Sequence, residues 1–370
     1  MLNYSYWELK QWFVNIDFTI IGSGIVGLNC ALKLKKKYPK SKIIIIEKGV
    51  LPQGASSKNA GFACFGSLSE LIDDLKSHTD KEVLELVKKR WEGLELLRKN
   101  LGDKNIDFQQ NNGYELFLDK NIYEECMEEK EKINNLLKPL FQKTVFSESN
   151  NIFGFKNVYQ KYITNNFEGQ IDTGKMIVSL LKRVQDKGIQ ILNGIEVEGF
   201  EDTISNEVLV KTKSVTFNTK KVFVATNGFA KTLLNESVSP ARAQVLITKP
   251  IQNLKIKGTF HLEKGYYYFR NIDNRILFGG GRNLDFKAEE TMSFEQTSLI
   301  QNKLEEILKE VILPNTDFEI DLRWSGIMGV GNQKKAIVKQ ISDNVFCGVR
   351  LGGMGVAIGS LVGEELADLL

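Results

Sequence analysis

The sequence predicts an α/β fold, α+β overall, in which a parallel-sheet domain is interrupted by a second domain built on a mixed sheet. Three observations predict it. Residues 18–27 read FTIIGSGIVG, an apolar run ending in Gly22-x-Gly24-x-x-Gly27, and a helical pattern leads on to a second apolar run, 43–46, closed by Glu47. Strands of the same apolar kind return far downstream, at 221–225 (KVFVA) and 344–349. Between these pieces lie a stretch with long amphipathic helices, about 67–165, and a β-rich one, about 241–323.

Taken in order, residues 16–50 read as strand, helix, strand. Gly22 lets the first strand turn sharply, Gly24 lets the backbone approach a pyrophosphate, and Gly27 lets helix and strand pack closely. The phosphates would sit on free N–H groups at the helix N-terminus, where the helix dipole favours negative charge. Glu47 would accept bonds from ribose hydroxyls and repel a 2′-phosphate, which disfavours NADP. A glycine turn alone carries little weight. Strand, helix, second strand and acid at this spacing make a dinucleotide-binding, Rossmann-like unit.

A small-residue loop follows at 51–66 (LPQGASSKNAGFACFG). Val83, Val87, Trp91 and Leu94 mark one amphipathic helix; Ile122, Cys126, Ile133 and Leu137 mark another, with a strand at 113–118 between them. A helix over 176–187, stopped by Gly188, precedes a strand at 189–192. Residues 208–213 and 214–217 read as a hairpin, and 221–225 as a separate strand leading to Thr226, Asn227 and Gly228. Strands are expected at 244–248, 266–270 and 275–278. A helix opened by Ser293, with Gln296 in a capping-box position, ends before Pro314. The strand 344–349, the glycine turn 352–355 and a helix over 360–370 close the chain.

Composition narrows the function. Forty-nine basic against 46 acidic residues give a net charge of +3, too balanced to point to nucleic acid or an anionic membrane surface. Cys30, Cys64, Cys126 and Cys347 form no CxxC pair and there are two histidines, so no metal-ligand spacing stands out and a reducing compartment fits. No apolar run reaches the ~18 residues of a membrane span. Residues 1–15 lack a signal-peptide pattern and read as an extension docking its aromatics on the domain; a cytoplasmic protein is expected.

Four motifs, in order, make nearly the whole chain resemble the FAD-dependent oxidoreductases of the D-amino-acid oxidase, glycine oxidase and sarcosine oxidase superfamily. They are IIGSGIVG with Glu47, GASSKNAGF at 54–62, VFVATNG at 222–228 and FCGVRLGGMGVAIGSLVGEELADLL at 346–370. The resemblance implies an FAD-binding domain from 16–66, 166–240 and 324–370, and a substrate domain from 67–165 and 241–323. It implies non-covalent FAD held by Gly22, Gly24, Ile25, Gly27, Glu47 and Lys48 at the ADP end. Ala55, Ser56, Ser57, Asn59, Ala60 and Gly61 would face the flavin, and Val197 the adenine. Ala225, Thr226, Asn227, Gly228, Trp324 and Gly326 would line the middle, and Gly352, Gly353, Met354, Gly355 and Val356 the pyrimidine edge. Cys64 and Cys347 are expected to be small buried hydrophobes rather than covalent flavin links.

The chemistry this implies is oxidation of a C–N bond by hydride transfer to flavin, giving an imine that hydrolyses, with oxygen or another electron acceptor downstream. The substrate would be a small amine or amino acid. Tyr266, Tyr268, Arg270 and Lys58 are the catalytic candidates. On a strand, either 266 and 268 or 267 and 269 can line a cavity, and Arg270 shares the first face; a surface ion pair is its alternative. His78 and His261 are expected to be ordinary surface or core residues. Sarcosine and glycine oxidases carry basic anchors that are missing here at 61–66, at 355–358 and near Trp324, and Leu277 stands where a lysine is found. An amine, or a substrate with its acid far from the reacting carbon, fits that pattern. An NAD-dependent dehydrogenase and a flavin-binding subunit without turnover are the alternatives.

Overall fold

The computed structural model describes residues 4–370; Met1, Leu2 and Asn3 of the predicted N-terminal extension lie outside the described residues. That extension forms α1 (Tyr6–Trp12), capped by Ser5 and Glu8. Phe13 behind it is buried against Phe217, and Tyr4 and Trp12 pack on the same core, so three of the extension's aromatics dock while Tyr6 and Trp7 stay exposed.

The nucleotide-type unit follows as β1 (Ile16–Ile21), α2 (Ile25–Lys37) and β2 (Ile43–Glu47). Its strands are apolar throughout because both faces of the sheet are covered. Ile43 and Ile45 point into one core, with α2, and Ile44 and Ile46 into another, with Phe13 and Val210. A Cβ on Gly27 would stand 2.0 Å from the Gly22 carbonyl oxygen, so α2 lies against the β1 turn only because that position is bare.

After the loop come β3 (Phe62–Ala63), α3 (Leu68–Leu75), α4 (Asp80–Leu101), α5 (Asp103–Ile106), β4 (Gly113–Glu115) and α6 (Lys120–Phe141). Helix α4 serves two cores. Leu94, Leu97 and Leu101 pack under the parallel sheet, while Val83 and Val87 pack with α3 and α6. Then follow β5 (Phe146–Asn150), β6 (Lys161–Asn165), β7 (Gly169–Gln170), α7 (Thr173–Asp186), β8 (Gln190–Asn193), β9 (Val197–Asp202), β10 (Val208–Thr212) and β11 (Thr216–Val224). The expected hairpin arm at 214–217 and strand at 221–225 are one strand, because β11 pairs with β10 along its first half and with β1 beyond it.

The remaining elements are β12 (Ser239–Thr248), β13 (Thr259–Leu262), β14 (Tyr267–Ile272), β15 (Arg275–Gly280), α8 (Ser298–Ile307), β16 (Ile320–Val330), β17 (Ile337–Gln340), β18 (Val345–Val349) and α9 (Gly355–Ala367). Two boundaries differ from expectation. Helix α8 starts at Ser298, not Ser293, because the Thr297 amide donates to Gln244 and the Phe294 carbonyl accepts from Ser325, which holds 294–297 extended. Helix α9 starts at Gly355, directly on the glycine turn, rather than at 360.

Two eight-stranded sheets organise the chain. One runs β17-β18-β11-β1-β2-β8, parallel along that path except at the β17 edge, with β10 antiparallel to β11 and β9 antiparallel to β10. The other runs β16-β12-β15-β14-β13-β4-β6-β5, antiparallel except for β13 with β4. One face of the second sheet is a dense core containing Phe260, Tyr267, Phe269 and Phe278, covered by Leu304 and Ile307 of α8. Its other face turns toward the first sheet across a cavity.

Candidate active site

A cavity of about 690 Å³ runs between the two sheets, from Glu47 and Val197 at one end to His261 and Tyr268 at the other. Its first end is built by the βαβ unit. Glu47 is buried and its rotamer is set by three donors: the Ser23 hydroxyl (2.6 Å), the Ser23 amide (3.1 Å) and the Gly49 amide (2.9 Å). The α2 N-terminus has no side-chain cap of its own; Ser56 Oγ accepts from the Ile25 amide at 2.9 Å.

The middle is held by asparagines. Asn59 Oδ1 accepts from the Gly61 amide and the Thr173 hydroxyl, and its Nδ2 donates to the Ala55 and Ser56 carbonyls, fixing the small-residue loop. Asn227 Oδ1 accepts from the Leu351 amide at 3.1 Å and ties the end of β11 to the C-terminal turn. Gly352, Gly353, Met354, Gly355 and Val356 form the wall there, and no side chain caps α9. Its first amides and the positive end of its dipole therefore face the cavity.

The far end is aromatic. Tyr268 and His261 are directly opposed on β14 and β13, and the edge of the Phe62 ring packs against both, 5.6 and 5.3 Å between centroids. Burial pushes the Tyr268 phenol up to about 12, so it is a neutral donor at physiological pH. His261 is 5% exposed and its Nε2 lies 2.6 Å from Glu168 Oε1, which also accepts from the Thr259 hydroxyl at 2.7 Å. Burial works against the charged imidazolium, but Glu168, with Glu70 and Glu115 farther off, outweighs it and holds His261 at about 9. Cys64 Sγ is within 4.8 Å of both groups. The 2.6 Å contact is a hydrogen bond, shorter than the spacing of two ligands on one zinc with bonds of about 2.0–2.3 Å. Burial first, then the nearby glutamates, also keep the Cys64 thiol neutral.

Most residues expected at the site line this cavity: Gly22, Gly24, Ile25, Glu47, Lys48, Ala55, Ser56, Lys58, Asn59, Ala60, Gly61, Val197, Ala225, Thr226, Asn227, Tyr266, Tyr268 and Gly326, with the turn 352–356. Five lie behind it. Gly27 packs under Gly22, Ser57 donates to the Pro52 carbonyl, and Gly228 packs against the Met328 carbonyl. Trp324 donates from Nε1 to the Lys58 carbonyl at 2.9 Å, bracing the loop rather than facing the cavity. Arg270 is 2% exposed behind Gly61, so the exposed ion pair named as its alternative is not what forms, and its Nε has no partner among the described residues. Tyr266 precedes β14 and is 41% exposed at the rim, so it does not share the strand face of Tyr268.

His261 is the residue sequence reasoning passed over. Alternation along β13 could have put it on the face of Thr259. Its pairing with Glu168 comes from a distant segment that leaves no local signal.

The site fits FAD. The cavity is long enough to join the buried Glu47 carboxylate to an uncapped helix terminus, and the Thr226 hydroxyl on its wall is buried without a partner among the described residues. A family model described as FAD dependent oxidoreductase (DAO) matches residues 17–369. The chain is 22% identical over 374 residues to the probable oxidoreductase OrdL of Haemophilus influenzae, covering 96% of this chain and 82% of that protein. It is likewise 22% identical over 376 residues to the gamma-glutamylputrescine oxidoreductase of Escherichia coli, covering 96% and 84%. The structure of glycine oxidase from Geobacillus kaustophilus superposes with a TM-score of 0.77 at 17% identity, covering 95% of this chain and 94% of that one. Among the described residues, no helix is long and apolar enough to cross a membrane.

Proposed function

The chain belongs to the DAO family of FAD-dependent oxidoreductases, and from that premise we propose that it oxidises the C–N bond of a small amine or amino acid in the cytoplasm. The observation that carries this reading is the single cavity joining Glu47 to the buried aromatic end at Tyr268. When bound, FAD supplies the hydride acceptor, and the imine product is released to hydrolysis. The protein supplies placement and electrostatics.

Glu47 would hold the ribose hydroxyls of bound FAD, and the amides of α2 would take its pyrophosphate. The N-terminal dipole of α9 would favour negative charge at the other end of the cavity. Phe62, Val245 and Tyr268 give the reacting amine a dry, apolar wall, which favours its neutral, reactive form. Tyr268 orients the substrate by its hydroxyl. Lys58, whose ammonium lies 5.3 Å from the Phe294 ring, borders the approach. The gamma-glutamylputrescine oxidoreductase among the relatives is consistent with an amine substrate.

The test is anaerobic mixing of the FAD-loaded protein with a panel of amines and amino acids, followed by air. Bleaching of the flavin by one class supports the reading, and the rate of reoxidation reports whether oxygen is the acceptor. Failure of every amine to bleach the flavin would sink it in favour of a flavin-binding subunit without turnover.

A further inference from the structure

The cavity wall carries several cations, but Lys58, Lys264, Arg282 and Lys334 are half-buried or exposed, whereas His261 is buried. Its setting is built. Glu168 is fully buried, and a Cβ on Gly113 would stand 2.3 Å from its Oε2, so the carboxylate lies in a place that only a glycine leaves open. Thr259 and His261, two residues apart on one face of β13, both bond its Oε1. Nε2 is thereby committed, and Nδ1 has no partner among the described residues although His261 lines the cavity. Most buried polar atoms have a partner, so an open Nδ1 on a cavity wall is available to a ligand.

Resting on the amine-oxidising reading above, we propose that His261 is the substrate's anion anchor: an imidazolium braced by Glu168 that donates from Nδ1 to a carboxylate, beside the Tyr268 hydroxyl. The substrate is then an amino acid rather than a simple amine. The anchor stands against the loop 61–66, which contains no basic residue, and the cation reaches that region from the opposite sheet. Arg270 cannot serve, being sealed behind Gly61.

Two further carboxylates face His261, each already bonded to donors of its own. Glu115, opposite it on β4, accepts from Ser67 and Ser69. Glu70 on α3 caps its own helix through the Ser67 amide. Cys64 is a neutral thiol and Tyr268 a neutral phenol. Against burial, Glu168 first, with Glu70 and Glu115 behind it, keeps the imidazole protonated across neutral pH.

The probe is benzoate against its neutral isostere benzamide, followed by flavin absorption of the FAD-loaded protein. Benzoate is expected to bind at least tenfold more tightly at pH 7, with affinity falling tenfold per pH unit above about 9. Glu168→Gln is expected to move the onset of that fall toward the ordinary histidine range, about 6.5. His261→Gln is expected to lose at least tenfold in benzoate affinity and all of the pH dependence. Equal binding of the two probes, a wild-type affinity unchanged between pH 8 and 10, or an unmoved onset in Glu168→Gln overturns the proposal. The first two need no variant, so misfolding cannot rescue it. Discrimination of benzoate that persists when no amine bleaches the flavin would defeat the catalytic reading and leave the anchor standing.

Discussion

Glu47 is held in one rotamer by Ser23 and Gly49, the rotamer the proposed ribose contact would use. Glu47→Gln should weaken FAD binding tenfold to a hundredfold, since a charge-assisted bond is worth about 1.5–3 kcal/mol. Fluorescence titration of the apoprotein reads this, and an unchanged Kd would remove Glu47 from the cofactor site. His261 gives stability a pH dependence of definite sign. Its folded value, about 9, lies above the unfolded one, so the folded state holds the extra proton. The stabilisation is complete below about 6.5 and fades as pH rises through 9, with an upper bound of about 3 kcal/mol. Urea melts from pH 6 to 10 should show this loss, and His261→Gln should flatten it; a wild-type stability that rises over that window contradicts the assignment. At this scale the sequence was legible where chemistry is local. Gly22, Gly24 and Glu47 stand out by spacing and do line the cavity, whereas the setting of His261 depends on Glu168 and Gly113, which only the fold brings near.

Helix and strand boundaries follow the same division. The βαβ unit was readable because its glycines and apolar runs act within a few residues. The start of α8 was not, because the Ser293 and Gln296 pattern competes with bonds that Gln244 and Ser325 make across the sheet. A working cap would cost about 1 kcal/mol on removal. Ser293→Ala should instead change stability by less than about 0.5 kcal/mol in chemical denaturation, and a loss above 1 kcal/mol would restore the capping role. Gly27→Ala should do the reverse. Its methyl must displace the Gly22 turn from α2, at about 1–3 kcal/mol, with FAD affinity falling alongside. Wild-type FAD content and melting would show that the helix can retreat without cost.

The two sheets were foreseeable as two textures in the sequence, but their assembly was not, since pairing of β13 with β4 or of β11 with three partners depends on register that no single segment encodes. Strand β16 belongs wholly to the second sheet yet carries Gly326 to the cavity that the first sheet helps to form. Helix α4, which is part of neither sheet, packs under the first sheet and also in the cluster that holds Phe146 and Ile163 from the edge of the second. Calorimetry should therefore show one unfolding transition, raised as a whole by FAD, rather than two. Two resolved transitions, with only one shifted by cofactor, would mean that the halves fold independently.

The path of α4 also bears on how the molecule would survive damage. Its residues 94, 97 and 101 are anchored beneath one sheet and 83 and 87 in a cluster outside it, like a rivet through two plates. A protease that nicks the surface loop at 331–335 severs a covalent link but none of those anchors. The two pieces should travel as one particle through a sizing column and separate only in denaturant.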